Sequence, residues 1–226
     1  MQTGAPAGES PVRVNAVAAL RRYAQPGVRE KSAPATRCEL CSGTLGIPHR
    51  HLLELATRQL ACACDPCALR FEAVTGGRFR LIPRDVRLLQ GLAMTEAQWE
   101  ALALPINLVF FYRHSGAERV VAMYPGPAGA TESLLPLERW QEAVAANPEL
   151  ASMEPDVEAL LVNRVGAERE SFVVPLDRCY ELTGIIRKSW RGLSGGDEAW
   201  TAIRSFFERL RDDSIGVCGS REVEHG

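Results

Sequence analysis

The strongest apolar signals in the chain lie after residue 79. INLVFFYRH (106–114) and RVVAMY (119–124) are dense in β-branched and aromatic residues and flank a turn at Ser115-Gly116, so they predict a β-hairpin. VEALLVNRV and ESFVVP repeat the arrangement around Gly166-Ala167 and predict a second hairpin. A helical period then takes over. Cys179, Leu182 and Ile186 share one face of a helix predicted over about 176–190, and Trp200, Ile203, Phe207 and Leu210 form the buried stripe of another over about 197–211. Thr95 with Gln98 makes a capping box that opens a helix to about Leu104, which Pro105 stops. A further helix is predicted over 137–146, ended at Asn147-Pro148, and Phe79–Ile82 is a short strand candidate.

The amino-terminal part patterns differently. Residues 1–36 scatter Pro and Gly around VRVNAVAALRRYA, which reads as a flexible arm carrying one short helix. Residues 37–78 read as a cysteine-rich metal-binding module, 79–212 as an α+β domain and 213–226 as a disordered tail. The fold class is therefore α+β: a small treble-clef or zinc-ribbon-like four-cysteine module, then an α+β domain with two β-hairpins and three to four helices.

Composition narrows the function classes. There is no run of about 18 apolar residues, so no membrane span is expected. MQTGAPAGESPVRVN lacks the basic and apolar regions of a secretory signal, so the expected location is cytoplasmic. Twenty-six basic residues against 28 acidic ones leave a net charge of −2, which does not fit a dedicated phosphate-backbone binder.

Five of the seven cysteines fall between Cys38 and Cys67. Cys38 and Cys41 form a C-x2-C pair, as do Cys64 and Cys67, with 22 residues between the pairs. Each such turn brings two thiolates to one point, and a connecting hairpin brings the turns together, so the spacing predicts a metal site of four thiolates. Gly43 is placed to supply the flexible residue of the first turn. His49–Leu55 and Gln59–Ala63 read as strands turning at Ala56-Thr57, and Asp65-Pro66 as a helix start. Knuckle, hairpin and a ligand pair at a helix start follow the order of a treble clef; a rubredoxin-like ribbon is the competing layout. The helix N-terminus is expected to favour the thiolate of Cys67.

Zinc suits four thiolates, and iron or an iron–sulfur cluster is the alternative. Cys62, His49 and His51 are additional candidate ligands. Cys62 lies two residues before Cys64, and the two histidines share one face of the facing strand. Four or five thiolates without an H-x-E or H-E-x-x-H pattern point to a closed structural site, and no catalytic residue is assigned.

Other features have plainer readings. The glycine-bearing stretches PGPAGATES (125–133) and WRGLSGGDE (190–198) read as connections, with Gly192, Gly195 and Gly196 as helix cap and turn. Arg78, Arg80, Arg84 and Arg87 form a basic face that pairs with local acids or an acidic protein partner in preference to nucleic acid. Asp156, Asp177, Asp197 and Glu198 read as caps or solvated positions.

The strings RCELC, HRHLLEL, CAC followed by CAL, YPGPAGATESLL, PDVEALLVNR and CYELTGIIRKSWRGLSGG give a resemblance over about residues 37–212. The chain resembles an uncharacterised bacterial domain family encoded in nickel–iron hydrogenase gene clusters. That resemblance implies a non-enzymatic accessory protein that contacts hydrogenase subunits or maturation factors during assembly. The alternative is a small iron redox protein passing electrons to or from a hydrogenase.

Overall fold

The computed structural model describes residues 37–72, 77–102, 104, 106–133 and 140–217. The arm and short helix expected at 1–36, the helix-stopping Pro105, the first turn of the helix expected from 137, and the tail beyond 217 lie outside the described residues.

Two sheets organise the rest. The smaller contains β1 (Arg50–Glu54), β2 (Leu60–Ala63) and β3 (Phe79–Leu81) in the order β2-β1-β3, with α1 (Asp65–Glu72) between the last two in sequence. Both pairings of β1 are antiparallel, with His51 opposite Cys62 and Leu53 opposite Arg80. The strand candidate at 79 thus forms, and it completes the sheet of the cysteine module.

The larger sheet has seven strands. β4 (Val86–Leu89), β5 (Leu108–His114), β6 (Arg119–Gly126), β7 (Gly129–Ser133), β8 (Glu158–Asn163), β9 (Glu170–Pro175) and β10 (Ser214–Val217) stand in the order β10-β4-β9-β8-β5-β6-β7. Both predicted hairpins are present, as β5–β6 and β8–β9, and they pair with each other through β5 and β8. Neighbours are antiparallel except at one edge, where β10 runs parallel to β4. Residues 214–217, read from sequence as the start of a tail, are therefore strand. PGPAGATES, read as a loop, contains the end of β6 and β7, which turn at Pro127-Ala128 and pair Gly126 with Gly129.

The central strands are apolar on consecutive residues because both faces of the sheet are covered. Leu108, Phe110, Leu161, Phe172 and Val174 face a core closed by α5 (Leu176–Ser189) and α6 (Gly196–Asp213), which contribute Leu182, Ile186, Phe206, Phe207 and Leu210. Val109, Phe111, Leu160, Val162 and Val173 face the other way. That second core is closed by α2 (Glu96–Ala101), α3 (Trp140–Ala146) and α4 (Pro148–Ala151), through Trp99, Trp140, Val144 and Leu150. The capping box read from sequence opens α2: Thr95 Oγ1 accepts from the Gln98 amide and Gln98 Oε1 accepts from the Thr95 amide.

The small sheet is tied to the first core. Leu53 of β1 and Ile82, just after β3, are buried in it. The opposite side of the small sheet carries a core of its own, made by Leu45, Leu52, Ala63 and Ala68 with Phe71, Phe79 and Leu81 around them. Cys38 lies in this small-sheet core, and Cys64 and Cys67 pack against it.

Candidate metal centre

The first C-x2-C turn is closed by two backbone bonds. The Cys38 amide donates to the Gly43 carbonyl at 2.7 Å, and the Ser42 amide donates to the Cys38 carbonyl at 2.8 Å. Ser42, and not the glycine expected, takes the left-handed conformation, at φ +62°. Gly43 leaves room for a ligand: a Cβ there would crowd the Cys41 sulfur at 3.3 Å. The second pair lies at the start of α1, where Cys67 sits in the first turn and the Ala68 amide donates to the Cys64 carbonyl at 2.9 Å. The β1–β2 hairpin lies between the two pairs in sequence. Knuckle, hairpin and ligand-bearing helix thus occur in treble-clef order, and the helix excludes the two-knuckle ribbon.

The sulfurs of Cys38, Cys41, Cys64 and Cys67 lie within 4.8 Å of one another, and those of Cys41 and Cys64 are 3.6 Å apart. Four sulfurs placed tetrahedrally at about 2.3 Å from a zinc-sized ion are roughly 3.8 Å apart, so this set fits one ion. At 3.6 Å Cys41 and Cys64 are also far from disulfide length, and all four thiols are free. Cys38 is buried and Cys41 exposed, with Cys64 and Cys67 between them.

Backbone amides and neighbouring thiols shift Cys38 and Cys67 in opposite directions. Burial raises the Cys38 thiol, but the backbone amides of Cys64, Cys41 and Leu40 outweigh it and bring the thiol down to about 6. Cys67 goes the opposite way from the helix-dipole expectation. Its contact with Cys64, then burial, then its contacts with Cys41 and Cys38, push it up to about 12. Thiolates this close repel one another. An ion that replaces their protons removes this repulsion, so metal uptake must release protons.

The three additional candidates do not join this shell. Cys62, His49 and His51 form a second group, with one donor atom of each within 4.8 Å of the others. The partner of His51 is not legible in the sequence: its Nδ1 is 2.6 Å from Asp177 Oδ2, 126 residues away at the start of α5. Neither Asp177 nor Asp156 is the cap or solvated position that the sequence predicts. Asp156 is fully buried, accepting from Arg58, Arg80 and the Ser115 amide. No local pattern marks either residue, because each partner comes from a distant element.

The remaining candidates resolve simply. Arg78 pairs with Glu54, Arg80 with Glu154 and Asp156, and Arg87 with Glu158. Cys179 is buried in the core between the large sheet and α5. The two glycine-bearing stretches meet at a cleft of about 420 Å³ whose lining includes Leu108, Tyr124, Pro125, Ile186, Trp190 and Trp200. No helix among the described residues is long and apolar enough to cross a membrane.

The sequence profile of a family of unknown function (DUF5947) matches residues 37–214, from the residue before the first cysteine to the first residue of β10. No curated protein and no solved structure matches the chain.

Proposed function

We propose that this chain, which belongs to the DUF5947 family of unknown function, is a non-enzymatic zinc-binding accessory protein acting in the cytoplasm through protein–protein contacts. The observation that carries the reading is the convergence of Cys38, Cys41, Cys64 and Cys67 on one ion-sized space. Four thiolates fill a tetrahedral shell and leave no position for substrate, which is the character of a structural ion. The ion's role here is to hold the knuckle against the start of α1, around a core too small to be stable alone.

The partner follows from the resemblance of RCELC, HRHLLEL and CYELTGIIRKSWRGLSGG to the family encoded beside nickel–iron hydrogenases. We assign the chain to assembly or maturation of such an enzyme, through contact with its subunits or maturation factors. The apolar cleft between Tyr124 and Trp190 supports contact with protein in preference to nucleic acid. Affinity purification from a hydrogenase-producing strain tests this: hydrogenase components should co-purify, and deleting the gene should lower hydrogenase activity. Unchanged hydrogenase assembly in the deletion strain would overturn the assignment. If the four thiolates instead hold iron for electron transfer, anaerobically purified protein will absorb in the visible, which a zinc protein does not.

A further inference from the structure

We propose that His49, His51 and Cys62 form a second metal site, separate from the four-cysteine centre and open at one coordination position. Its ligand is a divalent cation of borderline softness, of the zinc class. The inference does not depend on the four-cysteine centre being zinc-filled.

The register of the small sheet builds the site. His51 of β1 stands directly opposite Cys62 of β2, and residues opposite one another in an antiparallel pair share a face. His49 precedes His51 by two residues and comes to the same face, its ring 4.9 Å from that of His51. Cys62 thus serves this face, while Cys64 belongs to the other group. One nitrogen of each ring and the Cys62 sulfur lie within 4.8 Å of one another. Two imidazoles and a thiolate sharing one tetrahedral ion stand roughly 3.3–3.6 Å apart, within reach by small side-chain rotations.

Hydrogen bonding fixes which nitrogens are available. His51 Nδ1 is 2.6 Å from a carboxylate oxygen of Asp177, and His49 Nδ1 is 3.3 Å from the Gly46 carbonyl. Both oxygens accept, so each Nδ1 carries the proton, and in the neutral ring each Nε2 presents a lone pair. His49 Nε2 is buried and has no hydrogen-bond partner among the described residues. A buried nitrogen acceptor without a donor is costly, and a cation satisfies it. A ring held at Nδ1 by a carboxylate, with Nε2 free, is the arrangement that supports metal-binding histidines. Asp177 is the positioning residue. It belongs to α5, so the site lies where the small sheet meets the helix layer of the large one.

Three donors leave a fourth position for water or for a donor from a partner molecule, as in exchangeable or reactive sites and unlike the four-thiolate shell. His51 and Cys62 are partly exposed, which gives an ion a way in.

The test is metal titration of the full chain, stripped and kept reduced, with Co²⁺ alone and then Zn²⁺ alone. Wild type should take up two equivalents, the second giving a cobalt spectrum with weaker thiolate absorption than the first. His49→Gln combined with His51→Gln should bind one equivalent, with the spectrum of the first equivalent unchanged and a cooperative thermal melt retained. Asp177→Asn should keep two equivalents but bind the second about 10–100-fold more weakly. Saturation of wild type at one equivalent, or two equivalents in the double histidine variant, would overturn the proposal. An unchanged second affinity in Asp177→Asn would remove that residue's positioning role. Failure of the four-cysteine centre would appear separately, as loss of the strong tetrathiolate absorption while the histidine-dependent equivalent persists.

Discussion

Arg58 Nη1 donates to Asp156 Oδ1 at 2.7 Å, across 98 residues of chain, joining the turn of the β1–β2 hairpin to the segment before β8. Asp156 has no exposed side-chain surface, and the Ser115 amide and Arg80 also donate to it, at 3.0 and 3.4 Å. This carboxylate is a fixed point between the metal module and the large sheet.

Removing its charge should therefore be costly. Asp156→Asn suits the left-handed backbone, φ +69°, but leaves Arg58 facing a neutral group. We expect a loss of about 2–4 kcal/mol, toward the lower end for a buried pair because Arg58 keeps part of its side chain in water. Burial raises the Asp156 carboxyl, but bonds from Ser115 and the charge of Arg58 outweigh it, so the group titrates below the ordinary 3.8. A depressed folded value means that this stability is complete above about 3.8 and disappears as pH falls through the lower folded value. Denaturant melts should show a wild-type advantage over Asp156→Asn near neutrality that shrinks in acid.

Chelating the metal should loosen one corner of the molecule. Hydrogen–deuterium exchange should rise at the amides of Cys38, Ser42 and Ala68, whose bonds close the ligand-bearing turns. Amides of β5 and β8 should keep their protection, because Phe110, Phe111, Leu160 and Leu161 are buried independently of the ion. Cys67→Ser should reproduce this pattern, whereas equal acceleration in β5 and β8 would show that the ion holds the whole molecule.

Gly195→Ala should cost about 2–4 kcal/mol, the sum of a strained backbone and an overpacked contact. Gly195 has φ +88°, and a Cβ there would meet the Trp190 ring at 2.9 Å. That ring cannot easily yield, since Trp190 Nε1 donates to the Gly192 carbonyl and its ring lies edge-on to Trp200. Gly192→Ala is the control: φ is +61° but the space is open, so thermal melting should show only the backbone cost, about 1 kcal/mol.

Thr95→Ala should cost about 1 kcal/mol by opening the capping box of α2, and Thr95→Ser should restore most of it. Equal melting temperatures for wild type and Thr95→Ala would contradict that account.

Local chemistry made much of this structure legible in sequence. The alternation of turns and apolar runs located β5, β6, β8 and β9. The helical stripe of Ile203, Phe207 and Leu210 located α6, and paired C-x2-C spacing located the four sulfurs. What escaped depends on distant partners. VRLL (β4) is too short and too charged to declare itself, and it becomes strand by pairing with β9 and β10. GATES (β7) reads as loop because its residues are small and polar, yet the Pro127-Ala128 turn folds it back onto β6. Asp177 could not be assigned to His51 from any local pattern. Cys62 is ambiguous for a related reason: it lies two residues from Cys64, but β2 ends at Ala63, so Cys62 shares the face of His51 while Cys64 turns into the start of α1.

X-ray absorption of the full chain carrying one equivalent of zinc tests the central claim most directly. Convergence of Cys38, Cys41, Cys64 and Cys67 predicts a shell of four sulfurs at about 2.3 Å, lost in Cys67→Ser. A shell with fewer than four sulfurs, or a reduced protein that retains no ion, would contradict it.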